Sequence, residues 1–310
     1  YSPFLPFRAV PKGSVPRKLE PLRPRPTTEA GAPRKPLVDS QGHPVISLNE
    51  ASSGIVPEAV AASRQSAASR VRASQWPKEN KPTVADVLST IALLKAIGSL
   101  VCEPLFVAAD DFKNYFNQVK LSPEEFWKCG MVLSKYGEAK YVTEYIMTFG
   151  LRPASNIAQR FADAILAIWR RRMVQAEQEH TEALMDRFPI FADWVRQRGG
   201  SSALAAALFG AFIYTDDPIF VVLGAERMAR ALVIWTKLCA ELGLMMAIPE
   251  KRQCGTHVEW LGAGIGSIIA CAWVPTHKVV AALSKIKKTL EGSATVAEYH
   301  SLLGLLEHLV

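Results

Sequence analysis

Two pairs of adjacent aspartates, each next to an apolar run, constrain the fold of this chain more than any other sequence feature. Asp110-Asp111 follows the apolar residues 105–109, and Asp216-Asp217 comes just before the apolar residues 219–223. Apolar runs of this length are typical of buried strands, where an uncompensated carboxylate is costly to desolvate. We therefore expect two buried strands whose ends bring carboxylates to a place where a cation compensates them.

Carboxylates that converge from separate strands can hold two divalent cations roughly 3.5 to 4 Å apart. One ion then activates an attacking hydroxyl and the other stabilises a leaving phosphate oxygen, which is the chemistry of phosphoryl transfer. Paired aspartates are also ordinary turn residues, and for either pair taken alone a plain turn is the commoner explanation. The other motifs of the chain have to decide between these two interpretations.

Composition excludes several classes of protein. The chain has 310 residues, of which 49% are hydrophobic, so it can bury a sizeable core in one or two domains and is not disordered throughout. Its five cysteines are odd in number and lack metal-ligand spacing, which predicts reduced, packed thiols. No apolar run reaches the roughly 18 to 20 residues of a membrane span, and no signal pattern is present. We expect an intracellular protein, cytoplasmic or nuclear, without a membrane partner.

The positive charge is concentrated at the N-terminus. The chain carries a net charge of +7, and residues 1–35 contribute +6 of it through eight basic residues and two glutamates. Residues 1–33 also contain eight prolines, which interrupt helices and sheet ladders. We predict a disordered basic arm over residues 1–33, followed by a nearly neutral body. Charge alone leaves nucleic-acid binding undecided, because a neutral body suits any soluble enzyme.

Local patterns predict the main elements. Thr83 with Asp86 forms a capping box at the start of a helix, and the apolar residues that follow have helical spacing. Further elements are predicted from periodicity: strands at 36–39 and 45–48, a long helix from near Ser155 to Arg172, a strand-turn-strand unit over 208–223, a helix over 225–242, and strands at 258–261 and 268–273.

Five segments in collinear order resemble the motifs of reverse transcriptases. Residues 111–121 (DFKNYFNQVKL) resemble the first catalytic motif, and this register selects Asp111 over Asp110. The others are 149–160 (FGLRPASNIAQR) for the second motif, 214–217 (YTDD) for the YxDD box, 242–251 for the lysine motif, and 259–262 (EWLG) for the primer grip. Residues 273–278 and 295–309 resemble the beginning of the thumb. Residues 34–39, 47–49 and 161–165 resemble retrotransposons of the DIRS type and their gypsy-like relatives most.

The resemblance implies an α+β fold: a right-hand polymerase whose palm is an antiparallel sheet backed by helices, with fingers and the start of a thumb. Its domains would be fingers at 34–106, a palm at 107–270 with 120–145 partly in the fingers, and a palm end with a truncated thumb at 271–310. Residues 171–201 are longer than the family commonly has there, and we expect an inserted helix pair with its own small apolar face. Because Tyr1 is not an initiator methionine and Val310 lies in an apolar run, we expect a fragment of a longer polyprotein.

The resemblance also implies a mechanism. Asp111, Asp216 and Asp217 would ligate two Mg²⁺ ions, with Mn²⁺ as an alternative, and a primer 3′-hydroxyl would attack the α-phosphate of a dNTP on an RNA or DNA template. Lys251 matches the lysine that can protonate the departing pyrophosphate. A plain surface lysine beside Arg252 is the alternative for this residue.

Further residues are assigned to substrate by the same resemblance. Phe116 would be a steric gate against a ribose 2′-hydroxyl, or else a core aromatic beside Tyr115. Lys35, or Arg34, would meet the triphosphate, unless it is a solvated charge of the arm. The remaining assignments are Phe149, Arg152 and Gln159 at the templating pair and nucleotide, and Trp260, Leu261 and Gly262 in the primer grip, where Trp260 could equally fill the core.

Several positions depart from the family pattern. Ser155 replaces a usual proline, Ala158 a usual phenylalanine, and Pro218 directly follows the aspartate pair and removes a backbone donor. These departures motivate an alternative, a catalytically decayed or domesticated protein that only binds nucleic acid. An RNA-dependent RNA polymerase is disfavoured by Phe116 and the FGL motif. RNA-directed DNA polymerase is the function that the sequence favours.

Overall fold

In a computed structural model, the structure describes residues 79–124, 145–147, 154–197, 208–247 and 251–307, and the strands at 7–11, 24–28, 130–135 and 138–143. The chain divides into two compact units. One comprises Tyr1–Asn80 with Asn114–Asp163, and the other comprises Lys81–Lys113 with Ala164–Val310. The predicted strands at 36–39 and 45–48 lie outside the described residues.

The helices and strands follow one another in this order: β1 Phe7–Pro11, β2 Pro24–Thr28, α1 Val84–Val101, β3 Leu105–Ala109, a 3₁₀ turn Tyr115–Gln118, β4 Gly130–Lys135, β5 Glu138–Thr143, α2 Ala154–Arg187, α3 Pro189–Arg196, β6 Phe209–Tyr214, β7 Asp217–Leu223, α4 Ala225–Glu241, β8 Gln253–Gly255, β9 His257–Trp260, β10 Ala263–Gly266, β11 Cys271–Trp273, α5 Thr276–Leu290 and α6 Val296–Glu307. The predicted helix at 225–242 and the predicted strand-turn-strand unit at 208–223 are therefore present.

The first unit contains two antiparallel strand pairs. β1 pairs with β2, with Phe7 opposite Thr28, and β4 pairs with β5, with Gly130 opposite Thr143. The prediction of a wholly disordered arm over residues 1–33 is therefore corrected for these ten residues. Proline is compatible with this pairing because each strand of a two-stranded sheet is an edge strand, where the missing N–H can face outward.

The second unit is built on a four-stranded sheet in the order β6-β7-β3-β8, and every neighbouring pair is antiparallel. A smaller antiparallel sheet has the order β11-β10-β9. Helices pack against these sheets, so the predicted α+β class is confirmed. β3 lies inside the larger sheet with a partner on each side, so residues at its end can be reached from both neighbouring strands.

Helix α1 begins as the sequence predicts. The Thr83 hydroxyl accepts a hydrogen bond from the Asp86 N–H, and the Thr83 N–H donates to the Asp86 carboxylate at 2.7 Å. The helix buries Val87, Ile91 and Leu94 in the core with β3 and β7. Residues 81–106 thus belong to the second unit, while the division into fingers at 34–106 and a palm from residue 107 stays a prediction.

Among the described residues, α1 is the one helix whose length and apolar composition would allow it to cross a membrane. Its apolar side chains pack into the core of the second unit, including Ile97 and Val101 at the C-terminal end. A core helix of a soluble protein meets the same criteria of length and composition. The packing of α1 therefore accounts for its apolar character.

The predicted insertion is part of the main core. Helix α2 runs without a break through residues 171–187, and α3 follows it directly. Phe191 and Val195 of α3 are fully buried in the same cluster as α1, β3 and β7. The expectation of a separate small apolar face is therefore wrong for the described residues, because this face packs on the shared core.

The sequence analysis missed strand β10. Its residues, Ala-Gly-Ile-Gly, form a weak strand pattern because glycine has no side chain to pack. The space above Gly264 and Gly266 is filled by the ring of Trp273 from β11, and Gly264 is directly opposite Trp273. Ile268 and Ile269, which were predicted to begin a strand, lie in the connecting turn and are 65% and 72% exposed.

Candidate active site

The end of β3 brings the two aspartate pairs together. The β3–β7 ladder pairs Ala109 with Ile219, and it continues through hydrogen bonds from the Asp110 N–H to the Pro218 carbonyl at 3.1 Å and from the Phe112 N–H to the Asp216 carbonyl at 3.2 Å. In this register Asp111 lies opposite Asp217 as a pair without mutual backbone hydrogen bonds. Side chains approach most closely in such pairs, so the two carboxylates share one face of the sheet.

A two-residue turn presents the second aspartate pair. Tyr214 at the end of β6 pairs with Asp217 at the start of β7, and Thr215 and Asp216 connect them. Thr215 has a φ of 57°, in the left-handed region that costs a β-branched residue roughly 1 to 2 kcal/mol. The Lys81 ammonium lies 4.6 Å from the centre of the Tyr214 ring. A strained turn that holds an acidic pair in place indicates a functional role.

The aspartates influence one another's ionisation. Burial, together with the negative charges of Asp216 and Asp111, raises the pKa of Asp217 to about 7, and Lys251 opposes this rise. Like charges at close range disfavour ionisation of all members at once. The three carboxylates therefore interact with one another, and added positive charge would stabilise their ionised forms.

Lys251 and Arg252 approach the aspartates from the other side of β3. The Lys251 ammonium forms an ion pair with the Asp111 carboxylate. The Arg252 guanidinium donates twice to Asp110 Oδ2, from Nε at 2.9 Å and from Nη2 at 2.6 Å. The end of β3 is thus flanked by acids on the β7 side and by bases on the β8 side.

The donor chemistry of the site fits magnesium, which prefers hard carboxylate oxygens and substrate phosphates. In the part of the chain that the structure describes, no group of three or more His, Cys, Asp or Glu side chains is gathered closely enough to hold a metal ion. Asp111 is instead paired with Lys251. A cation that binds Asp111 would have to displace the Lys251 ammonium. Because burial and the neighbouring negative charges raise the pKa of Asp217, added positive charge would stabilise its ionised form.

The predicted primer grip lies at the β9–β10 turn. Trp260 is buried, and its indole N–H donates to the Asp217 carbonyl at 2.9 Å. It therefore occupies the core, which was the alternative position that the sequence suggested for it. Leu261 and Gly262 form the turn, both with positive φ, and Leu261 is exposed. The Lys278 ammonium donates to the Gly262 carbonyl at 2.7 Å. Leu261 is therefore accessible at this turn, while the Trp260 indole binds the backbone of the aspartate turn.

Two of the predicted nucleotide-binding residues lie in the first unit. Phe116 is 9% exposed in the 3₁₀ turn and packs edge-on against Tyr115, with ring centres 6.3 Å apart. Gln159 is buried on α2, and its amide donates to Asp163 at 2.9 Å. The other four predicted residues, Arg34, Lys35, Phe149 and Arg152, lie outside the described residues.

The departures from the family pattern each have a defined environment. The Ser155 hydroxyl donates to Glu79 at 2.8 Å, and Ala158 is fully buried with its carbonyl accepting from the Tyr115 hydroxyl at 3.1 Å. Pro218 uses its carbonyl to accept from Asp110. The substituted side chains are therefore accommodated within ordered contacts.

Sequence reasoning assigned no role to Asp110 and mentioned Arg252 only as a neighbour of Lys251. Both belong to the site. The available signal was the alternation of side chains along a strand, since Asp111 facing one side of the sheet requires Asp110 to face the other. A buried aspartate requires a cationic partner, and Arg252 was an unassigned cation directly beside a predicted site residue.

Comparison with known proteins gives similarity to solved structures only. No known family model matches the chain, and no curated protein matches it. The foamy viral protease-reverse transcriptase in complex with dsDNA is similar over 77% of this chain and 37% of its own, with 12% identity and a TM-score of 0.41. The apo telomerase of Candida tropicalis is similar over 63% and 40%, with 9% identity and a TM-score of 0.42. This chain therefore spans less than half the length of either structure.

Proposed function

We propose that this chain is the polymerase region of a reverse transcriptase, which extends a primer with dNTPs on an RNA or DNA template. The observation that carries the proposal is the placement of Asp111 opposite Asp217 on adjacent strands, with Asp216 in the connecting turn and Lys251 paired to Asp111. The collinear motifs in the sequence add independent support. Palm, fingers and the beginning of a thumb would be the corresponding regions of the fold.

In this proposal Asp111, Asp216 and Asp217 would hold two Mg²⁺ ions, which would lower the pKa of the primer hydroxyl and neutralise the leaving phosphates. Burial of Asp217 keeps its carboxylate in a site of low dielectric, where charge interactions are strong. Lys251, released from Asp111, donates a proton to the departing pyrophosphate. The Trp260 indole fixes the backbone at Asp217 and so holds the acidic turn in place.

Substrate selection follows from the remaining residues. Phe116 would exclude a ribose 2′-hydroxyl, while Arg34, Lys35 and Arg152 would bind the triphosphate and the templating pair. Template and primer would be held mainly through their phosphates, so binding would weaken steeply with salt. We place the protein inside the cell, in the cytoplasm or the nucleus, as a piece of a retrotransposon polyprotein of the DIRS or gypsy-like kind.

A decayed protein that binds nucleic acid without polymerising is the second candidate. The substitutions Ser155, Ala158 and Pro218 favour it, because the family usually has other residues there. The contacts of these three residues weaken that inference, since each is integrated into the structure. Retention of all three aspartates also favours activity.

The test is primer extension on poly(rA) with an oligo(dT) primer, using dTTP or UTP, with Mg²⁺ or EDTA, for the parent chain and for Asp216→Asn. We expect extension with dTTP, little with UTP, and none with EDTA or with the variant. A filter-binding assay with the same duplex runs in parallel. Tight binding without any extension, in a chain that includes a complete thumb, would overturn the proposal and favour the decayed protein.

A further inference from the structure

Asp110 and Arg252 form a second, buried ion pair immediately behind the proposed active site. The Asp110 side chain is 4% exposed, and both of its oxygens are used. Oδ1 accepts from the Asp111 N–H at 3.0 Å, and Oδ2 accepts both guanidinium hydrogen bonds of Arg252. A single carboxylate therefore contacts the backbone of the proposed metal ligand and the neighbour of the proposed general acid.

The position of this pair along the strands gives it a further role. The β3–β8 ladder ends where Ala109 pairs with Gln253. Backbone pairing with the preceding segment resumes at Asp111, whose carbonyl accepts from the Ala247 N–H at 2.7 Å, and at Phe112, which pairs with Met246. The side chains of Asp110 and Asp111 thus form ion pairs with Arg252 and Lys251 just beyond the end of the β8 ladder.

The two ion pairs differ in strength. Lys251 is half exposed and carries a mobile ammonium, and exposed pairs of this kind contribute little. Arg252 engages a buried carboxylate through two donors of a planar fork, which adds geometric specificity. The Arg252 pair is thus able to fix the backbone next to Lys251, while the Lys251 pair can open.

We propose that the Asp110–Arg252 pair is a positioning anchor that holds Lys251 against Asp111 while leaving the Lys251 ammonium free to detach. The anchor would act through the backbone, because Asp110 accepts from the Asp111 N–H and Arg252 directly follows Lys251. This inference rests on the proposed function only for its kinetic readout. Its structural readout needs no polymerase activity.

The structural readout is the rate at which an amine-specific acetylating reagent modifies Lys251, measured by mass spectrometry relative to the exposed Lys287 of the same molecule. We expect Arg252→Gln and Asp110→Asn each to raise the relative rate at Lys251 by about two- to fivefold, the size expected for release of a half-exposed ion pair. Asp111→Asn sets the upper limit, since it removes the partner itself. Arg252→Lys, which keeps the charge without the fork, should give an intermediate rate.

The matched control is Glu177→Gln, which weakens another buried carboxylate–arginine pair on α2, away from Lys251. It should lower thermal stability without changing the relative rate at Lys251. Equal rates at Lys251 in the parent chain and in Arg252→Gln, with a raised rate in Asp111→Asn, would overturn the anchor. An equal rise in Glu177→Gln would overturn it too, because the effect would then be general loosening.

The kinetic readout follows if primer extension is established. Arg252→Gln should lower kcat by about 10- to 100-fold, the cost of a misplaced catalytic group, with KM for dTTP changed by less than about threefold. Asp110→Asn combined with Arg252→Gln should be no worse than the more severe single variant, because both act on one contact. Absence of extension by the parent chain would count against the proposed function alone, since the acetylation rates would still decide the anchor.

Discussion

Two buried carboxylate clusters in the second unit are built in opposite ways. Glu177 on α2 is fully buried and accepts hydrogen bonds from two arginines, at 2.8 Å from Arg227 Nε and at 2.7 Å from Arg230 Nε. Asp217 is also buried in part, but the charges that act on it most are those of Asp216 and Asp111. In the first cluster two arginines lower the pKa of the carboxyl, and in the second burial and the neighbouring carboxylates raise it.

The pKa directions express the same contrast. Burial alone would raise the pKa of Glu177, but the hydrogen bonds and charges of Arg230 and Arg227 lower it below its ordinary value. The pKa of Asp217 rises to about 7. A carboxylate that only stabilises the fold is paired with cations, as Glu177 is, whereas like charges held at close range raise one another's pKa and mark a candidate functional site.

The largest expected effect is the loss of primer extension when the cluster of Asp111, Asp216 and Asp217 is changed. Asp111→Asn and Asp216→Asn should each lower primer extension by roughly a thousandfold or more, since they remove charge that the transition state needs. Single-turnover extension with Mg²⁺ measures this, and circular dichroism verifies folding. Near-parental extension by folded Asp111→Asn would contradict the assignment of this residue.

The next effect concerns the closed cluster. Glu177→Gln should destabilise the protein by about 3 kcal/mol, because it leaves Arg227 and Arg230 without their shared buried partner. Urea denaturation measures the change. Extension per folded molecule should stay at the parental level, and a selective loss of activity in a stable Glu177→Gln protein would erase the contrast between the two clusters.

A smaller effect follows from the raised pKa of Asp217. The pKa of Asp217 is about 7 in the folded state, against an ordinary value of 3.8, so the folded state binds the carboxyl proton more tightly than the unfolded chain does. The stability contributed by the protonated carboxyl is therefore lost as pH rises from about 4 through about 7. Asp217→Asn should remove this slope and should be more stable than the parent at pH 8 by about 1 to 3 kcal/mol, allowing for solvent screening.

Thermal denaturation between pH 5 and pH 8 measures this slope, and Mg²⁺ provides the matching control. Added Mg²⁺ should raise the melting temperature of the parent at pH 8, because the ion relieves the repulsion among the carboxylates. The effect should be much smaller in Asp216→Asn, since this variant has already lost one of the repelling charges. If the stability of the parent rose from pH 5 to pH 8 more steeply than that of Asp217→Asn, the raised pKa of Asp217 would be contradicted.

The contrast between the clusters also shows which features could be predicted from sequence. The meeting of Asp111 with Asp216 and Asp217 was predictable because apolar runs with terminal acids specify strand ends, and the start of α1 was predictable because a capping box is local. The pairing of Asp110 with Arg252, 142 positions apart, was missed because it depends on how two strands align. The packing of α3 on α1 was missed for the same reason, since the apolar residues of a helix do not specify which element the helix packs against.

The smallest expected effect tests whether an ion pair alone is enough to mark a cluster as structural. Arg172 and Glu241 join α2 to α4 through a contact of 2.7 Å, but both side chains are exposed. Their attraction is screened by water and salt, and it requires two long side chains to be ordered. Arg172→Ala should therefore leave the urea midpoint and the extension rate unchanged within error. A loss comparable to that of Glu177→Gln would mean that charge pairing, rather than the burial of a paired charge, separates the Glu177 cluster from the cluster of Asp111, Asp216 and Asp217.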